Sequence, residues 1–164
     1  MYALIENNAV TKVGELAILF PDTSNPNASF AAEQGALEVV EGEQKDQRFY
    51  WVTFDKYEIT GNVVTRTYVN TPKVLEDITE TPEGSTEPVT TKGLKSQWIA
   101  QAKATANSQL ASTDWMVIRK AERNVDIPAE VVAERAKIID DCTAKEAAIT
   151  AATSIDELMQ ALST

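Results

Sequence analysis

The sequence of 164 residues contains no histidine, a single cysteine, six scattered glycines and no long apolar run. Without histidine, the chain lacks the usual general base near neutral pH and the commonest side-chain ligand of transition metals. One cysteine, Cys142, excludes an intramolecular disulfide and a zinc site built from several thiolates. Scattered glycines form no phosphate-binding loop. The sequence therefore predicts a protein that is not an enzyme and binds neither a metal nor a cofactor.

Basic residues are also scarce, since 15 Lys and Arg stand against 25 Asp and Glu and give a net charge of −10. Nucleic-acid binding needs clustered Lys and Arg, so it is not predicted. The longest uninterrupted apolar run, Leu16–Phe20, is too short to span a membrane. The N-terminus lacks the basic head and apolar core of a signal peptide. We therefore expect folding in a cytoplasm and no membrane partner.

Residues 1–72 are predicted to form a small antiparallel β unit. Asn7-Asn8 and Gly61-Asn62 are typical of tight turns between strands. The apolar run Leu16–Phe20 is interpreted as a further strand. Other predicted elements are a short helix over Ser29–Gln34, capped by Asn27 or Ser29 and ended by Gly35, and a strand over Leu37–Val40.

The strongest strand signal is the aromatic segment Phe49–Phe54. Side chains alternate between the two faces of a strand, and here both sets are largely apolar. This pattern predicts a central strand that is covered on both sides. The alternative is that a partner chain covers one of the two faces.

The segment that follows differs in composition from the rest of the chain. Residues 71–93 contain three prolines, five acids and six threonines, with almost nothing apolar after Ile78. Such a segment buries too little apolar surface to offset the entropy of ordering it. Residues 73–93 are therefore predicted to be an extended linker or an arm ordered by a partner. The first of them, Lys73–Ile78, are an alternative last strand of the β unit.

The apolar period becomes helical over residues 94–164, which predicts a hairpin-like helical unit and an α+β fold for the whole chain. A second helix is expected to be capped by Thr113 or Asp114, and a third to begin at Pro128. Ser154 and Glu157 form a capping box before a last helix. The first helix carries an apolar stripe made of Leu94, Trp98, Ile99, Ala102, Ala106 and Leu110, and the third is expected to bury Val131, Val132, Arg135, Ile138, Ile139 and an inert Cys142 thiol on one face.

Because Trp and Arg are enriched at interface hot spots, candidates for contact with another protein are Trp98, Asp114, Trp115, Arg119 and Arg135. The competing interpretation assigns these residues to the protein's own packing. In that case Asp114 caps a helix, and Trp115 packs against Trp98 or Leu110. The arginines then form internal ion pairs with Asp114, Glu122 or Glu134, of which Arg119–Glu122 fits the helical i,i+3 spacing.

The spacing of Leu110, Asp114-Trp115, Arg119, Pro128 and Arg135, closed by the acidic-leucine helix of residues 155–158, resembles a known pattern. It is similar to the C-terminal half of small tail-fibre-assembly and tail-accessory proteins of tailed bacteriophages. The resemblance implies a β unit joined to helices, and a non-catalytic protein of the virion tail made in the host cytoplasm. Its implied partners are phage tail or tail-fibre proteins, and homo-oligomerisation is compatible with it.

Two roles follow from this resemblance. One is a tail component that links the tail or baseplate to the fibres. The other is a tail-fibre assembly chaperone that is not retained in the virion. The long segment 73–93 departs from the compact family pattern and favours the tail component over a transient chaperone. A bacterial adaptor unrelated to phage is a third interpretation.

Overall fold

The computed structural model describes residues 1–163, and the chain divides by its contacts into two compact units, Met1–Pro72 and Lys73–Thr164. The first unit is built on a five-stranded sheet, and the second contains a small β-hairpin followed by four helices. The predicted α+β fold is therefore confirmed, with the sheet first and the long helices last. No helix within residues 1–163 combines the length and apolar character needed to cross a membrane.

The sheet of the first unit comprises β1 (Tyr2–Glu6), β2 (Ala9–Gly14), β3 (Ala36–Glu41), β4 (Tyr50–Thr60) and β5 (Val63–Pro72). The spatial order is β2-β1-β3-β5-β4. Three neighbouring pairs are antiparallel, whereas β3 and β5 run parallel. The chain leaves β3, passes to the sheet edge as β4 and returns as β5 beside β3. The sheet is therefore mixed, not antiparallel throughout as the sequence predicted.

Two short helices, α1 (Leu16–Leu19) and α2 (Ala28–Glu33), lie between β2 and β3. In α1 the Phe20 N–H donates to the Leu16 carbonyl, which closes a single helical turn. The strand predicted over Leu16–Phe20 is wrong. A short, fully apolar run has no period that distinguishes a strand from one turn of helix.

The predicted turns and the cap before the second short helix are confirmed. Thr113 does stand at the N-cap of the helix that begins at Asp114, but its side chain makes no capping hydrogen bond there. Asn7 and Asn8 both have positive φ, at 52° and 61°, and Gly61 has φ of 59° in the β4–β5 turn. Asparagine and glycine adopt this region at lower cost than other residues. The Asn27 side chain accepts a hydrogen bond from the Phe30 N–H at 2.9 Å and so caps α2.

The aromatic strand has a position that its composition does not predict. Phe49 and Tyr50 are buried, but Trp51 is 63% exposed and Phe54 is 47% exposed. The central, doubly covered strand predicted over Phe49–Phe54 is therefore wrong, because β4 lies at the edge of the sheet. A strand that is apolar on both faces is buried only if other elements of the fold cover both faces. The sequence does not show which strand lies at the edge of the sheet.

The second unit contains hairpin strands β6 (Ile78–Glu80) and β7 (Val89–Thr91), and helices α3 (Leu94–Ala111), α4 (Asp114–Arg123), α5 (Ala129–Ala151) and α6 (Ile155–Ser163). Residues 73–93 are thus not the extended linker expected. The Leu94 and Lys95 N–H groups donate to the Val74 and Leu75 carbonyls at 2.9 and 3.0 Å. The first N–H groups of a helix lack partners within the helix, and the preceding segment supplies them here.

Helices α3, α5 and α6 form the packed part of the second unit. The stripe predicted on α3 is confirmed, since all its residues are buried or half-buried. The third predicted helix is also confirmed, and α5 begins directly after Pro128. Buried positions at the α5–α6 end are Ile149, Ala152, Ile155 and Leu158.

The capping box before α6 is confirmed in a slightly shifted form. The Ser154 hydroxyl accepts from the Glu157 N–H at 3.2 Å, as the motif predicts. The Glu157 carboxylate reaches one residue further back and accepts from the Thr153 N–H at 2.6 Å and the Thr153 hydroxyl at 2.8 Å. These bonds lower the pKa of Glu157, with the backbone N–H of Thr153 as the largest cause.

Acid is expected to destabilise the second unit through two such carboxylates. Hydrogen bonds from the Ser96 side chain and from the Gly93 N–H lower the pKa of Asp77, as those from Thr153 lower the pKa of Glu157. A carboxyl with a lowered folded pKa stabilises above its unfolded pKa of about 4, and this is lost as pH falls through the folded pKa. Urea unfolding followed by helical circular dichroism between about pH 7 and about pH 3 measures the loss.

The matched control for this prediction is the double variant Asp77→Asn, Glu157→Gln. It should be less stable than wild type near neutral pH, yet lose less stability on acidification. If wild type and the double variant lost the same stability on acidification, these two carboxylates would not be the cause of the acid sensitivity.

Candidate protein-binding surfaces

Helix α4 exposes an apolar row, although its sequence is amphipathic. None of its residues is buried, and Trp115 and Ile118 are 52% and 57% exposed. The interpretation of Trp115 as a core residue packed against Trp98 or Leu110 is therefore wrong. The helix ends at Asn124, which has left-handed φ of 54° and donates its N–H to the Lys120 carbonyl at 3.0 Å. An amphipathic helix with no buried residue has an apolar face that other parts of this chain do not cover.

Arg119 lies one turn after Trp115 and stacks on its ring. The guanidinium carbon is 4.8 Å from the ring centroid, within range of a cation–π interaction. The ion pair predicted between Arg119 and Glu122 does not occur among the ion pairs of residues 1–163. Within the same residues the buried Arg119 Nε has no hydrogen-bond partner. Trp115 and Arg119 therefore form an ordered pair with a flat aromatic ring and a cation side by side.

Arg135 on α5 holds the corner at which α3 turns into α4. Its Nη1 donates to the Leu110 carbonyl at 2.9 Å and to the Thr113 hydroxyl at 2.6 Å. Its Nη2 pairs with Asp114 Oδ1 at 2.9 Å, and the side chain is only 17% exposed. The planar fork of arginine suits three such contacts. Of the alternatives left open by the sequence, internal pairing of Arg135 with Asp114 is the one observed.

The five predicted residues consequently divide into separate groups. Asp114 and Arg135 position α4. Trp115 is exposed, and the half-buried Arg119 stacks on its ring. Trp98 is half-buried on α3, twelve residues and about 18 Å before the corner at Leu110. It belongs to the packed stripe of α3 and not to the surface of α4.

The charge around α4 is opposite in sign to that of the whole chain. Asp114 is paired with Arg135, and Lys120 with Asp126. The charged residues of α4 that remain outside these ion pairs are two bases, Arg119 and Arg123, and one acid, Glu122. We call the row of Trp115, Ile118, Arg119 and Arg123 the α4 surface. It combines apolar contact area with a local positive charge.

The first unit carries a second exposed row on one face of its sheet. Trp51 lies opposite Thr71, and Thr53 opposite Val69, so these four residues share a face. Trp51 and Val69 are both exposed. We call this row the β-face. The sequence signal for it is present in Phe49–Phe54, where a partner-covered face was the alternative to a core strand.

Sequence reasoning placed two α5 residues on the wrong side of the helix. Val132 and Ile139 were expected in the buried face, but both are half exposed. They are seven residues apart and so lie in one row along α5. This row is next to the buried row, and both are apolar, so the sequence of α5 alone does not separate them clearly. Cys142, predicted to be buried, is half-buried, and desolvation raises the pKa of its thiol.

Both exposed rows are open surfaces. Within the described residues no three His, Cys, Asp or Glu side chains come together as a metal site. The α4 surface is a helix face and the β-face is an open sheet face, so neither encloses a small molecule. Comparison with known protein families, curated proteins and solved structures finds no match to this chain.

Proposed function

We propose that this chain is a non-enzymatic bacteriophage tail protein that binds other tail proteins and links the tail or baseplate to tail fibres. The observation that carries the proposal is an exposed tryptophan surface on each of two separately packed units. The β-face serves one contact and the α4 surface serves the other. Two binding surfaces on one chain are the minimum that a linking protein needs.

The phage assignment within this proposal rests on the sequence pattern around α4. The structure assigns physical roles to several positions of that pattern. Leu110, Asp114 and Arg135 make the bonds that orient α4, and Arg119 stacks on the exposed Trp115. A pattern whose parts jointly present one helix face fits a binding function. Localisation in the virion tail, after synthesis in the host cytoplasm, belongs to the same proposal.

Affinity purification of the full-length tagged chain from phage-infected cells tests the β-face contact. Mass spectrometry of the captured proteins should identify tail or tail-fibre proteins. Trp51→Ala should reduce their recovery by at least about tenfold, because exposed Trp residues dominate interface energetics. Lys12→Ala, an exposed change on β2 of the same unit, is the matched control and should leave recovery unchanged. Capture of no phage protein by the wild-type chain would overturn the proposal.

Purified virions distinguish the proposed tail component from the assembly chaperone. A tail component should be found in the particles by mass spectrometry at a fixed ratio to the other tail proteins. A chaperone should be captured from infected cells yet be missing from the particles. The second result would replace the linking role with the alternative while leaving the binding surfaces in place.

A further inference from the structure

The hairpin β6–β7 presents a surface whose chemistry is opposite to that of the α4 surface. Ile78 lies opposite Thr91, and Glu80 opposite Val89, so these four side chains share one face of the hairpin. All four residues are exposed. Five acids and no base occur between residues 76 and 91. We call Ile78, Glu80, Val89 and the neighbouring loop acid Glu87 the hairpin surface.

The acids of the hairpin surface are not neutralised locally. Glu76 pairs with Lys95 at 2.5 Å, and Asp77 pairs with Lys92 at 3.6 Å. Glu80 and Glu87 take part in none of the ion pairs of residues 1–163. The hairpin surface therefore offers two apolar side chains and unneutralised negative charge. The α4 surface offers two apolar side chains, the exposed Arg123 and the half-buried Arg119.

Helix α3 keeps these two surfaces apart within one chain. The hairpin is tied to the first residues of α3 through the Leu94 and Lys95 N–H groups, and α4 begins three residues after α3 ends. The 18 residues of α3 span about 27 Å. Helix α4, with ten residues, is about 15 Å long and too short to return to the hairpin. The apolar side chains of both surfaces accordingly remain exposed.

We propose that the α4 surface of one copy of this chain binds the hairpin surface of a second copy. The inference rests on the binding role proposed for the α4 surface and names a second copy as its occupant, so that the β-faces of the joined copies serve the contacts with other tail proteins. Opposite charge and matched apolar area favour this head-to-tail contact. A two-fold contact between like surfaces would place arginine against arginine or glutamate against glutamate. A head-to-tail contact leaves one surface free at each end, so the copies form a ring or an open row.

Charge reversal of each surface in the full-length chain tests the contact. Variant X carries Arg119→Glu and Arg123→Glu, and variant Y carries Glu80→Lys and Glu87→Lys. Each variant alone places like charges across the contact and should self-associate at least about tenfold more weakly than wild type. In an equimolar mixture, the acidic α4 surface of X meets the basic hairpin of Y. The remaining surfaces of the two variants form a wild-type pair, so the mixture should recover association.

Sedimentation velocity of the purified proteins, from about 1 µM to about 1 mM, measures this directly. Wild type should form larger species as concentration rises, and added salt should weaken them because exposed charges are screened. Circular dichroism spectra of X and Y that match wild type exclude misfolding. Recovery of association in the mixture excludes it independently, because misfolded variants would not bind each other specifically. A wild-type chain that stays monomeric over this range, a mixture that does not associate, or variants that associate as wild type does would each overturn the proposal.

The same measurement separates this inference from the proposed function. If purified wild type is monomeric but still captures phage tail proteins, the head-to-tail contact is wrong and the tail role stands. If the copies associate but no phage protein is captured, the contact stands and the tail role is wrong.

Discussion

Replacing Gly93 with alanine should destabilise the helical unit by about 3 kcal/mol, a large effect for the addition of one methyl group. Gly93 is buried, and a Cβ built on it lies 2.3 Å from the Glu76 carbonyl oxygen and 2.4 Å from the Leu75 carbonyl oxygen. Both atoms are backbone, so no side-chain rotation relieves the clash. The Leu75 carbonyl also accepts from the Lys95 N–H, and a shift of this segment would break the start of α3.

Urea unfolding followed by helical circular dichroism measures this effect, because the long helices all belong to the second unit. Gly84→Ala in the hairpin loop is the matched control. An added Cβ there meets nothing within 4 Å, although its φ of 82° carries a conformational cost of about 1 kcal/mol. If Gly93→Ala were no more destabilising than Gly84→Ala, the close approach of the two backbone segments would be contradicted.

Arg135→Met should lower the stability of the helical unit by about 2 kcal/mol and loosen the α3–α4 corner. Methionine retains much of the apolar part of the arginine side chain. The loss of stability therefore measures the three polar contacts to Leu110, Thr113 and Asp114. Arg135→Lys should recover only part of the stability, since an ammonium group cannot reproduce the fork of a guanidinium.

Lys137→Met is the control for the Arg135 series, because Lys137 is exposed on the same helix. Urea unfolding should show Lys137→Met within about 0.5 kcal/mol of wild type. Equal stability of the Arg135 and Lys137 variants would mean that the polar contacts do not hold the corner.

Features set by neighbouring residues along the chain were predictable from sequence. Asn27 caps α2, Gly61 opens a hairpin turn, and Ser154 with Glu157 begins α6. In each case a residue three positions away or less, or the residue's own backbone preference, decides the local structure. The helical stripe from Leu94 to Leu110 was predictable for a related reason, because its period is a property of the segment alone.

Features set by distant residues were not predictable. The run Leu16–Phe20 has no apolar period that separates a helix from a strand. The composition of Phe49–Phe54 does not indicate that its strand lies at the edge of the sheet. Residues 73–93 have the composition of a linker, but their carbonyls bind the first N–H groups of α3. Such pairings become visible only when the fold places the two segments together.

The residue types around α4 are visible in the sequence, but their arrangement is not. Trp and Arg are frequent at interfaces, so the sequence alone indicates Trp115, Arg119 and Arg135 as candidates. Arg135 lies 21 residues after Asp114, and no local rule connects them. Only the packing of α5 beside the end of α3 shows that Arg135 positions α4 and that Trp115 is exposed.

The central claim is that Trp115 serves binding and contributes little to folding, and the variant Trp115→Ala tests it most directly in the full-length chain. Its free energy of unfolding should lie within about 1 kcal/mol of wild type, because Trp115 is already 52% exposed. Its association with a second copy should weaken by at least about tenfold. Trp98→Ala is the matched control and should lose stability, since Trp98 lies in the packed stripe of α3. A Trp115→Ala protein destabilised by about 3 kcal/mol, with association unchanged, would contradict the claim.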